Sequence, residues 1–184
     1  MESRRWIYFL ALLLPGISWG TVLLTVPQAL SKVCDGKSIV EKKDGYLTSD
    51  QIKSINHDLE YKIEEKSTLV TYFECKVEGK LIATAYIDVD RVRKETETLM
   101  IVVGIDDNIR DIEVLSFDEP KQYLAPEPWK KQFEGKGAKE IDQSKTNIAG
   151  ITGATLTSKA VTKSVQKVLA IHKLLKSTDH VKKN

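Results

Sequence analysis

Between Thr68 and Phe117 the chain offers one β-like stretch after another, with almost nothing between them. Thr68–Val77 and Lys80–Val89 are rich in β-branched and aromatic residues, and Glu78-Gly79 between them reads as a turn, so the pair is a hairpin candidate. Thr98–Gly104 follows with a continuous apolar run from Leu99 to Val103. Asp106-Asp107-Asn108 supplies turn residues. Ile109–Phe117 then alternates, with Ile112, Val114 and Ser116 on one side and Asp111, Glu113 and Leu115 on the other. Links this short join antiparallel neighbours, because a parallel crossover needs about a dozen residues. The expected fold is built on an antiparallel sheet.

What precedes the sheet divides into an apolar segment and a polar one. Residues 6–26, Trp6 to Val26, carry no charge and follow Glu2, Arg4 and Arg5. A run of about 20 apolar residues can cross a bilayer as a helix, and the arginines would hold its start in the cytoplasm. A cleaved signal peptide is the rival reading, with Ser18-Trp19-Gly20 as a small-residue cleavage site. Cleavage there would leave Thr21–Val26 as an exposed apolar tail, which favours an uncleaved anchor. Pro27 ends the segment, and Ser31–Gly45 reads as a polar linker. Residues 1–36 are thus taken as anchor or signal segment plus linker, and residues 37–184 as one domain outside the cytoplasm. Thr48-Ser49-Asp50-Gln51 has the form of a capping box and predicts a helix to about Leu59, with Ile52, Ile55 and Leu59 on one face. Cys34 and Cys75 are the only cysteines. An oxidising compartment would let them pair. Neither lies in a CxxC or CxxCH motif, and the reading taken is a buried free thiol at Cys75 and a linker cysteine at Cys34.

After the sheet, residues 120–128 carry Pro120, Pro126 and Pro128 around Tyr123, a stiff loop. Pro128 predicts the start of a short helix through Phe133, closed by Gly135. From Thr157 onward Val161, Val165, Val168, His172 and Leu175 recur at helical spacing, with Lys159, Lys163, Lys167 and Lys173 elsewhere on the cylinder. This predicts an amphipathic helix packed on the sheet, with Ser177–Asn184 as a frayed tail. Charge divides along the chain. Residues 37–119 hold 12 Lys/Arg against 19 Asp/Glu, and residues 120–184 hold 13 Lys against 5 Asp/Glu. The basic half lacks arginine and any aromatic-interleaved basic run, which argues against nucleic-acid binding.

Conventional catalytic constellations find little support. Of the histidines His57, His172 and His180, no pair has metal-ligand spacing, and His172 falls on the apolar stripe as a packing residue. Asp118-Glu119 reads as a solvated carboxylate pair at a strand end. The informative stretch is Ile151-Thr152-Gly153-Ala154-Thr155-Leu156-Thr157-Ser158, small, hydroxyl-rich and leading into the last helix. A helix start presents unsatisfied N–H groups and a partial positive charge, which suits a phosphate. The simpler reading is a helix cap on Thr155 or Thr157, with Gly153 for the bend.

Thr152-Gly153-Ala154-Thr155, followed by Leu156-Thr157-Ser158, resembles the (Ser/Thr)-Gly-Ala-Thr attachment signature of FMN-binding domains. These occur in flavin-carrying components of the sodium-pumping NADH:quinone reductase and of the Rnf electron-transport complex, and in small exported or membrane-anchored flavoproteins. The likeness extends over roughly residues 68–175 in the order of strands, Pro-rich loop, motif and terminal helix. The resemblance implies that a flavin transferase links FMN by its phosphate to the final threonine of the signature, here Thr155. It makes Thr152, Gly153 and Ala154 the recognition turn, and places Leu156, Thr157 and Ser158 beside the phosphate. The family often has an aspartate three residues before the signature, where this chain has Ala149. Tyr123 and Trp129 are candidates to hold the isoalloxazine, with core packing as the alternative.

The combined expectation is an α+β domain whose C-terminal helix follows the flavin-attachment motif, behind an N-terminal membrane anchor. Such a flavoprotein would carry FMN and pass electrons between membrane or exported redox partners. The absence of a GxGxxG fingerprint points away from direct use of a nicotinamide. The alternative is a noncovalent FMN-binding sensor or assembly module of a membrane redox complex.

Overall fold

The computed structural model describes residues 21–34, 36, 38–59, 68–141 and 148–182. Six strands form one curled antiparallel sheet: β1 (Thr21–Val22), β2 (Ile39–Tyr46), β3 (Leu69–Val77), β4 (Lys80–Val92), β5 (Glu95–Gly104) and β6 (Ile109–Phe117). Their order across the sheet is β1-β6-β5-β4-β3-β2. Four helices accompany them among the described residues: α1 (Val26–Val33), α2 (Ser49–Asp58), α3 (Glu127–Lys130) and α4 (Thr155–Lys182). The α+β class and antiparallel sheet follow the sequence expectation. The expected anchor lies, up to residue 20, outside the described residues. Among the described residues no helix is long and apolar enough to cross a membrane.

The turns explain the meander. Glu78 and Gly79 take φ of 50° and 76°, the two positive values that let a two-residue turn match the twist of its strands. Arg93, at φ 55°, supplies the one positive value in the two-residue turn between β4 and β5. β5 lies in the middle of the sheet, and its apolar run reads through to both faces. Leu99, Ile101 and Val103 join the main core, while Met100 and Val102 join a second cluster on the opposite face.

The segment before β2 departs from expectation. Thr21–Val22 pairs with Phe117 and Ser116 of β6 as an edge strand. Thr25 then caps α1 in a reciprocal box with Gln28, and Pro27 sits in the first turn, where its missing N–H costs nothing. Proline therefore starts a helix here; it does not terminate a span. Ala29, Leu30 and Val33 pack beneath Ala83, Ala85, Met100 and Val102, so α1 covers the second face of the sheet. The expected linker continues as β2, an outer strand whose charged residues pair across to β3 through Lys43–Glu74 at 2.8 Å and Lys76–Glu41 at 2.7 Å. Such a charged edge discourages pairing with another chain. Cys34 and Cys75 are disulfide-bonded, with Cα atoms 5.7 Å apart. The free-thiol reading fails because α1 lays Cys34 directly over β3.

α2 follows its predicted capping box, with Thr48 and Gln51 bonded reciprocally and Ile52 and Ile55 buried. α4 buries Val161, Val165 and Val168 on the main face of the sheet and runs to Lys182 without the expected fraying, since no glycine or proline interrupts it. A polar ladder fixes its register against β4. Tyr86 meets His172 at 2.9 Å, Asp88 meets Lys167 at 2.6 Å, and Asp90 meets Lys163 at 3.0 Å. Two strand residues advance about 6.6 Å, and four or five helical residues about 6–7.5 Å, so successive rungs stay in step. The ladder brings the start of α4 to the β4–β5 turn.

Candidate functional site

Ile151-Thr152-Gly153-Ala154 is a β-turn closed by the Ala154 N–H on the Ile151 carbonyl at 3.0 Å. Gly153 has φ 80° at its third position, as a type II turn demands. The first helical bond, Ser158 N–H to Ala154 O at 3.1 Å, makes Ala154 the capping residue of α4. An alanine methyl accepts nothing, so the first-turn amides of Thr155, Leu156 and Thr157 receive no side-chain cap from that position. The expectation of Thr155 or Thr157 as cap is corrected: both lie inside the helix.

The hydroxyls then separate. Thr157 is buried and donates to the Tyr123 carbonyl at 2.7 Å, tying the helix start to the proline-rich loop. Ser158 donates to the Thr155 carbonyl at 2.9 Å. Thr152 is exposed in the turn and Ala154 is buried behind it. Thr155 is exposed and lines a cleft of about 620 Å³, and its hydroxyl has no hydrogen-bond partner among the described residues.

Asp90, Arg91 and Arg93 form one wall of this cleft, Trp129 and residues 148–150 another, and Thr155, Leu156, Ser158, Lys159 and Lys163 of α4 the third. Four cations face one carboxylate. Lys163 is engaged with Asp90, and the Arg93 guanidinium lies 4.6 Å from the Tyr123 ring centre. That stack holds a residue whose positive φ carries backbone strain of about 1–3 kcal/mol. Bonding to Gln122 and the charge of Arg93 lower the Tyr123 phenol below its ordinary value. Arg91 and Lys159 have no ion-pair partner among the described residues. Tyr123 therefore supports the wall from behind. Trp129 does line the cleft, but it is largely buried edge-on against Phe133, and its indole N–H donates to the Ala149 carbonyl at 2.5 Å. The Ala149 N–H in turn donates to Gln132 at 2.9 Å, so backbone bonds hold this position at the cleft edge.

Residues 95–170 match the family model of the FMN-binding domain. This stretch is an FMN-binding domain. Its cofactor is FMN. The match begins at β5 and ends within α4, so β1–β4 precede it yet belong to the same sheet, and α1 and α2 precede it too. It is a match to the domain family, and the finer likeness to components of ion-pumping complexes lies beyond it. No curated protein matches the chain. The cleft suits the cofactor on its own evidence: its volume falls within the ordinary range of about 300–1,000 Å³ for small-molecule sites, and uncapped amides and excess cations meet where a phosphate would lie.

Sequence reasoning missed Asp90, Arg91, Arg93, Lys159 and Lys163. Lys159 and Lys163 stand four and eight residues beyond Thr155, so helical spacing alone places them along its face. The three β4 residues gave no local signal. Asp118 and Glu119 prove structural: Asp118 accepts from Thr96 at 2.5 Å, and Glu119 accepts from the Lys94 and Glu95 amides, clamping the β4–β5 turn. His172 is the buried packing residue that its position implied, bonded to Tyr86 and Asp107.

Proposed function

We propose that this flavoprotein carries FMN as a phosphoester on the Thr155 hydroxyl and passes electrons between redox partners outside the cytoplasm. One observation carries the attachment. Of the four hydroxyl residues in the motif, Thr155 alone is exposed, lines the cleft and has a hydroxyl free of bonds among the described residues. The phosphate would meet the first-turn amides of α4, with Lys159 and Arg91 offsetting its charge. Trp129 and the Arg93–Tyr123 stack bound the space available to the ring system. When bound, FMN supplies one- and two-electron chemistry, while the protein sets its position and surroundings. The electron partners are proteins or quinones, and a flavin transferase completes maturation.

Export rests on the apolar segment that precedes β1, and the Cys34–Cys75 bond suits an oxidising compartment. Because Thr21–Val22 belongs to the sheet, the stretch left for a span is Trp6–Gly20, shorter than the usual requirement of about 20 residues. A retained segment anchors the domain, and cleavage at Ser18-Trp19-Gly20 releases it. The intact mass of the purified protein distinguishes the two.

The attachment is tested by coexpression with a flavin transferase, followed by a denaturing gel. Flavin fluorescence stays with the wild-type band and is absent from Thr155→Val. A dark wild-type band whose native form is yellow would instead support the noncovalent sensor or assembly module, the reading that Ala149 favours.

A further inference from the structure

Glu97 is a buried carboxyl that neither the fold nor the attachment chemistry uses. It is 1% exposed, and its Oε1 is buried without a hydrogen-bond partner among the described residues. On β5 it stands directly opposite Asp90 of β4, so the two carboxyl groups share one face of the sheet at cross-strand contact distance. Asp90 lines the flavin cleft and is ion-paired with Lys163 of α4. On its other side Glu97 faces Phe117 of β6, which is apolar. The remaining charge acting on it is Lys130 of α3, whose ammonium is committed to Glu127 at 2.8 Å and to the Ile112 carbonyl at 2.7 Å. An acid in this position is cheaper neutral than charged. Burial, reinforced by Asp90 and opposed by Lys130, pushes its pKa up to about 8.

We propose that Glu97 and Asp90 form a proton-exchanging pair in the cleft wall: in alkaline solution, where Glu97 is ionised, the pair takes up a proton from water when the bound cofactor gains an electron and returns it when the electron leaves for the redox partner. The proposal rests on FMN occupying this cleft. Negative charge arriving in the cleft disfavours a second ionised carboxyl behind Asp90, so proton and electron enter and leave together.

The cofactor-free protein tests the store itself. Its infrared spectrum shows a protonated carboxyl band that disappears as pH is raised through about 8. Glu97→Gln lacks that band, and Asp90→Asn, by removing a like charge, moves the loss to lower pH. A band lost near the ordinary value of 4.5 overturns the proposal. In the FMN-loaded protein, the midpoint potential of wild type falls more steeply with pH around 8 than that of Glu97→Gln. Parallel curves from two yellow proteins overturn the coupling alone. A wild-type protein that takes up no FMN, read by absorbance beforehand, overturns it through the flavin reading beneath.

Discussion

The two ends of α4 each open onto a cleft, and the clefts are similar in size: about 620 Å³ at Thr155 and about 570 Å³ around His172. Both have aromatic walls and lysine rims. They differ in what their polar groups already have. At the C-terminal end Lys43 and Lys76 are paired with Glu74, Lys176 is bonded to Asp107, and the Tyr86 hydroxyl meets His172. At the N-terminal end, among the described residues, Thr155 has an unengaged hydroxyl, Arg91 and Lys159 lack ion-pair partners, and Ala154 offers the helix no side-chain cap. A concavity becomes a site through polar groups left to satisfy, and volume alone does not supply them.

The sharpest way to break this contrast is Thr155→Val, which should remove all gel-stable flavin, whereas Thr155→Ser, which keeps the hydroxyl, should retain it. Flavin that survives Thr155→Val would move the attachment to Thr152. Next in size is the disulfide behind both clefts. Its reduction should cost about 2–4 kcal/mol in chemical denaturation while gel-stable flavin is unchanged, because Cys34 and Cys75 lie in the cluster on the opposite face. At the C-terminal end, His172→Leu should cost about 1–3 kcal/mol by removing its buried 2.9 Å bond to the Tyr86 hydroxyl, again with flavin intact. A loss of flavin there would mean that the two ends are coupled through the helix.

Acid sharpens the same distinction. Burial holds His172 below the ordinary histidine value of 6.5, although Asp107 acts against this. The unfolded chain then binds the extra proton first. Stability is complete above the unfolded pKa and falls as pH drops from there to the folded pKa, by at most about 1.4 kcal/mol per pH unit. Denaturation midpoints of wild type and His172→Leu should therefore converge as pH falls through this window. The smallest effects belong to the N-terminal rim. Lys159→Ala and Arg91→Ala should each weaken noncovalent FMN binding by about 0.5–1 kcal/mol, roughly 2–5-fold, with the difference shrinking in salt.

Local features of the chain were legible wherever a short-range rule applied. The Glu78-Gly79 hairpin, the Thr48–Gln51 capping box, the Pro128 helix start, Gly153 as the bend and the buried stripe of α4 all depend on residues within a few positions of one another. β1, α1 and β2 were misread because their signals compete: Thr25–Gln28 is buried in an apolar run, and β2 is an edge strand whose charges look like a linker until β3 supplies their partners.

By itself the sequence determined an antiparallel sheet, a long amphipathic helix and a phosphate-compatible turn with four hydroxyl residues, and its resemblance singled out Thr155 among them. Only the tertiary structure decided what those hydroxyls are free to do. Thr157 is spent on Tyr123, Ser158 on its own helix, and Ala154 takes the capping position. The structure also paired Cys34 with Cys75 and delivered Asp90, Arg91 and Arg93 from a distant hairpin to the start of α4. The reason is physical. Turn and helix chemistry act over three or four residues, whereas the supply of partners for a polar group depends on which strand the sheet sets beside it.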